Sequence, residues 1–135
     1  SSAMRVDAAT LFRESDILSI HIDGRPSNRD FVSAPMIGLM RSDVVVINTS
    51  RGMVLQTEAL ALFLQANPIA RAILDVHDPE PFTADNPLVK LPNAFLAPHL
   101  ASRTETAMTN MSWVVRDVIE VAMGRKPKFE VGLKA

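Results

Sequence analysis

The chain contains no cysteine, and its 135 residues include only 5 glycines and 1 tryptophan. Without cysteine there is no disulfide framework, no thiolate metal site and no cysteine nucleophile. That composition fits a reducing compartment, so the expected location is cytoplasmic. An excess of one charge is missing too. The 14 Lys and Arg against 15 Asp and Glu leave a net charge of -1, with no field to hold nucleic acid or an acidic membrane surface. No apolar run reaches the roughly 18 to 20 residues of a membrane span. The polar start Ser1-Ser2-Ala3-Met4-Arg5 lacks the form of a signal peptide. What remains, at 47% hydrophobic residues, has the size and composition of one globular domain.

The apolar pattern alternates between short β-branched runs and longer segments of helical spacing. This points to an α/β fold, a parallel sheet with helices on both faces in three layers, α/β/α. Strands are expected over Asp16 to Ile22, Asp43 to Asn48, Ala70 to Val76 and Ala94 to Ala97. Helices are expected over Asp7 to Arg13, Ser33 to Met40, Thr57 to Ala66, and one long helix from about Arg103 to Met123. Ser33 and Thr57 read as N-caps, and Gly124 as the stop of the last helix. Prolines at 79, 81, 87 and 92 make Asp78 to Asn93 an ordered surface loop. The apolar stripe of the long helix, Met108, Met111, Trp113, Val114, Val118, Ile119 and Met123, reads first as core packing. A part of it facing another domain is the alternative.

Chemistry-bearing residues fall just beyond three successive strands. Arg51 follows VVVINTS, Asp75 and Glu80 follow AIL, and His99 follows AFLAP. Open α/β sheets bind ligands at the carboxyl ends of their strands. The arginine fork suits a carboxylate or a carbonyl oxygen gaining charge, and Gly52 after it suggests a tight turn. Glu80 stands between two prolines and His99 follows Pro98. Where a carboxylate meets an imidazole it favours the charged form and fixes the tautomer, which makes an acid and base for neutral pH. Taken singly, each of these residues has a bland explanation as a surface ion pair or a solvated loop charge.

Together they resemble a known family. Ile47-Asn48-Thr49-Ser50-Arg51-Gly52, Leu74-Asp75-Val76 with Pro79-Glu80-Pro81, and Ala97-Pro98-His99-Leu100-Ala101 with Thr104 occur in the order, and at spacings similar to those, of the D-isomer-specific 2-hydroxyacid dehydrogenases. The resemblance covers most of the chain. It implies the C-terminal half of a Rossmann-like, doubly wound dinucleotide-binding domain over residues 1 to 124, with 125 to 135 leading back to a substrate domain. It implies NAD or NADP as cofactor, and hydride exchange with a small 2-hydroxy or 2-oxo acid. Arg51 would bind the substrate carboxylate, His99 would exchange the hydroxyl proton, and Glu80 would orient His99. Asp75, Thr49, Ser50 and His21, with Arg51 and His99, would line the cofactor cleft.

Departures from the family pattern accompany the match. Asp23 stands where the family has proline after His-x, and Asn28 where it has threonine, so a carboxylate would lie near the cofactor's phosphates or ribose and repel them. The chain has no G-x-G-x-x-G and no ribose-holding acid after it. The chain by itself is therefore expected to bind cofactor weakly and to be inactive. A non-catalytic dinucleotide-sensing module, like the dehydrogenase-like corepressors, is the alternative. A formate dehydrogenase relative ranks below it, since that branch carries glutamine where Glu80 stands. His77 matches no fixed family position and reads as a substrate-side or surface residue. An unpaired sheet edge leads to the expectation of a homodimer.

Overall fold

The computed structural model describes residues 3 to 129. They divide into two compact units, one up to His99 and one from Leu100 on, and each is described by itself.

The first unit holds four parallel strands, β1 (Ile17–Ile20), β2 (Val45–Asn48), β3 (Arg71–Leu74) and β4 (Ala94–Leu96), side by side in chain order. The register aligns Leu18 with Val46 and Ala72, and Ile20 with Asn48 and Leu74. All of these face one side and are buried. That side packs with Phe12 of α1 (Ala8–Glu14), Ile37 of α2 (Ala34–Ile37) and Leu60, Ala61 and Leu64 of α3 (Thr57–Ala66) into one core. The opposite face carries Ile17, Ile73 and Phe95, 63%, 45% and 53% exposed, so the helices described in this unit cover a single face. The cause is topological. Parallel crossovers are right-handed, so strands added in one direction place all their helices on the same side. The parallel α/β sheet is the expected one, and these four strands are the part of it wound in one direction.

Local chemistry sets the element ends. Asp7 caps α1 by accepting the Thr10 N–H at 2.9 Å. Ser33 is the N-cap residue of α2, yet the Ala34 N–H donates to Gln56 Oε1 at 2.8 Å. Gln56, not Thr57, is the N-cap position of α3. Between β3 and β4 the proline-bearing loop contains no helix or strand and is pinned by buried Leu88. Asn93 then anchors β4, donating to the carbonyls of Leu64 at 3.1 Å and Ala70 at 2.9 Å.

In the second unit the expected single helix is two, α4 (Glu105–Ser112) and α5 (Val114–Ala122). Thr104 caps α4 by accepting the Ala107 N–H. At the break the Ser112 hydroxyl donates to the Met108 carbonyl at 2.9 Å, and the Trp113 N–H bonds Asn110, one residue short of helical spacing. Such a back-bonding serine bends helices. Gly124, at φ 71°, ends α5 as expected. No residue of α4 or α5 is buried, which corrects the reading of their stripe as core. The spacing makes an apolar face, and burial requires a partner that the spacing does not supply.

Candidate active site

The turn after β2 is built around a buried amide. Asn48 lies on the covered face, fully buried, where an unsatisfied polar group would be costly. Its Oδ1 accepts the Ser50 N–H at 3.0 Å and the Ser50 hydroxyl at 2.8 Å, and its Nδ2 donates to the Arg51 carbonyl at 3.1 Å. The strand end thus folds over its own asparagine, an Asx-type arrangement, and delivers Arg51 outward in extended backbone. Arg51 is exposed and its Nη1 donates to the Ser50 carbonyl at 2.6 Å. Gly52 begins a 3-10 turn over Gly52–Val54, and its need for glycine is close approach. A Cβ there would stand 1.9 Å from the carbonyl carbon of His77. Gly24, beyond β1, plays the same part toward Arg51, whose Cγ would lie 2.9 Å from an added Cβ.

The loops after β3 and β4 meet at a carboxylate. Glu80 Oε2 accepts from His99 Nδ1 at 3.0 Å, and Oε1 accepts from the His77 N–H at 2.8 Å. Burial alone would push the Glu80 carboxyl up. The hydrogen bonds from His99 and the His77 backbone, with the charge of both imidazoles, outweigh it and hold the group below the ordinary glutamate range. A charged Glu80 only accepts, so its bond places the proton of His99 on Nδ1 and leaves Nε2 as the nitrogen that can take or give a proton. Arg29 secures the loop from another side, donating to Asp78 at 2.7 Å.

The other sequence candidates fall around this pair. Asp75 is buried at the end of β3, its N–H continuing the ladder to the Asn48 carbonyl at 2.9 Å. Thr49 is exposed beside Arg51, while Ser50 has turned its hydroxyl to Asn48. His21, one residue past β1, is exposed and its Nε2 lies 2.9 Å from Oγ of Ser19 in that strand. Asp23 is not a free charge. It forms an ion pair with Arg25 at 2.8 Å and accepts from Asn28 Nδ2 at 2.8 Å. The two departures from the family pattern are therefore hydrogen-bonded partners, and the Asp23 carboxylate is paired with the Arg25 guanidinium. Two contributors escaped the sequence reading. Asn48 had a signal, a strand-end Asn before Thr-Ser. His77, read as a substrate-side or surface residue, is 8% exposed, so the surface alternative falls.

The D-isomer specific 2-hydroxyacid dehydrogenase, NAD binding domain, matches residues 1–101. The chain belongs to that family. A glyoxylate reductase of Thermofilum pendens is 38% identical over 122 residues, 90% of this chain and 36% of that protein. A D-3-phosphoglycerate dehydrogenase of Archaeoglobus fulgidus is 32% identical over 129 residues, 95% of this chain and 24% of that protein. In structure, the chain superposes on a D-lactate dehydrogenase with NAD+ from Lactobacillus jensenii with TM-score 0.83 and 29% identity, covering 94% of this chain and 42% of that one. The chain therefore spans well under half the length of these relatives.

The residues present suit the nicotinamide end of the family's cofactor. Asp75 brings a carboxylate, a group that accepts from N–H donors, to the carboxyl end of β3, its own N–H on the Asn48 carbonyl. The phosphate end needs a run of backbone N–H groups on a Gly-rich loop, and no G-x-G-x-x-G occurs in the 135 residues.

Proposed function

We propose that the protein carrying this chain oxidises a D-2-hydroxy acid to the 2-oxo acid, and the reverse, with NAD or NADP. The observation that carries the reading is the 3.0 Å bond between His99 Nδ1 and Glu80 at the carboxyl edge of a parallel sheet. The cofactor, when bound, supplies or accepts the hydride at C2. His99 Nε2 takes the hydroxyl proton in the oxidation direction and returns it in reduction. Glu80 keeps the imidazole in the tautomer that allows this. Arg51 binds the substrate carboxylate and polarises the C2 oxygen through its planar fork. Thr49, Ser50, Asp75 and His21 complete the cofactor side. The same proposal places residues 1 to 124 in the dinucleotide-binding domain, with 125 to 135 leading to the substrate domain. It also holds that the 135 residues alone are inactive, and that the protein is a cytoplasmic homodimer. The absence of cysteine supports the cytoplasmic location, and β1, an edge strand among the described residues, supports self-pairing of this chain.

The test is reduction of a panel of 2-oxo acids by the complete protein with NADH or NADPH, read as disappearance of the reduced cofactor. His99→Ala should lower kcat by about 10²- to 10⁴-fold, the usual worth of a general acid. Cofactor binding without turnover of any panel member would sink the reading in favour of a sensing module.

A further inference from the structure

We propose that His77 is a positioning residue for the Glu80 and His99 pair, its ring clamping the turn that carries His99 while its backbone N–H orients the Glu80 carboxylate. This inference deepens the site proposed above, and its test needs no turnover. His77 is nearly enclosed and yet polar, so its ring nitrogens require partners. Nε2 lies 2.8 Å from the carbonyl of Ala97, two residues before His99. A carbonyl only accepts, so Nε2 carries the hydrogen and donates. The ring is seated against Phe82, centroids 4.5 Å apart and tilted by 59°. The backbone of the same residue donates to Glu80 Oε1 at 2.8 Å and lies against Gly52, where no Cβ would fit.

These contacts close a circuit. It runs from the His77 ring to Ala97, along the chain through Pro98 to His99, from His99 Nδ1 to Glu80 Oε2, and from Glu80 Oε1 back to the His77 N–H. His99 sits at φ 56°, in the left-handed region that a side chain disfavours. Such a conformation persists where the surroundings over-determine it. The Ala97 carbonyl is the handle by which His77 holds it. Cutting that bond frees the His99 turn to swing away from Glu80 while leaving both reacting groups in place chemically.

The experiment is NMR of the 135-residue chain with labelled histidine and glutamate side chains. It reads two signals, the His99 Nδ1–H resonance and the midpoint of Glu80 titration. His77→Phe keeps a ring against Phe82 and removes the donor. It should keep the folded amide spectrum, lose the Nδ1–H resonance to exchange with water, and move the Glu80 midpoint upward. His77→Gln, whose amide can donate to Ala97, should retain both signals. The proposal is overturned if His77→Phe keeps both signals, if it loses its folded amide spectrum, or if His77→Gln behaves like His77→Phe. None of these readouts depends on a substrate, so a failed turnover assay and a failed clamp are told apart.

Discussion

Helices α3 and α5 carry apolar residues at the same three and four spacing and treat them in opposite ways. In α3, Leu60, Ala61 and Leu64 are at most 2% exposed, whereas in α5 Val114, Val118 and Val121 are 64%, 61% and 59% exposed. The first stripe lies against the covered face of the sheet. The second lies on an element in which nothing is buried. Periodicity writes a face onto a helix, and only a facing element turns it into core.

Substitution breaks or sharpens this contrast. Leu60→Ala should destabilise the chain by about 2 to 5 kcal/mol, since it removes a fully buried side chain and leaves a cavity, while Val118→Ala should stay within about 0.5 kcal/mol. Urea unfolding of both variants measures the difference, and equal losses would erase the contrast. Gly52→Ala sharpens it within the first unit, since the obstacle is backbone. A cost of about 1 to 3 kcal/mol is expected by overpacking, together with displaced amide signals at His77 and Glu80. The smallest effect concerns charge. The Glu80 carboxyl is held below its ordinary value in the folded chain, so the folded state binds fewer protons. Its contribution is present above the unfolded value and is lost as pH falls through the folded one. Stability should therefore decline on acidification below the ordinary glutamate value of 4.5, and Glu80→Gln should flatten that decline. The side chain is 36% exposed, so screening keeps the effect under about 1 kcal/mol. Melting curves across that range, wild type against variant, check it.

Much of the fold was legible because its signals are local. Short apolar runs marked all four strands, β-branched in the first three and Ala94-Phe95-Leu96 in the fourth, and the span of α3 is as the spacing predicts. The meeting of Glu80 and His99 was legible as a condition, since both follow neighbouring strand ends. Distant contacts were not legible. Nothing near Thr57 reveals that the Gln56 side chain, one residue earlier, caps α2, 22 residues away in sequence. Nothing near His77 reveals Ala97, 20 residues on, whose carbonyl accounts for the burial of that imidazole. The break at Trp113 depends on a serine choosing a backbone carbonyl over water, which spacing does not encode.

The bond between Asp23 and Asn28 ties the fates of two positions together. Asn28 spends its amide on the Asp23 carboxylate and carbonyl, and the carboxylate also holds Arg25. A proline at 23 would keep the carbonyl but remove the carboxylate that Asn28 and Arg25 share, and a threonine at 28 would withdraw the amide from both acceptors. An exchange at either position therefore changes what the other side chain touches, so the effects of the two exchanges should not simply add.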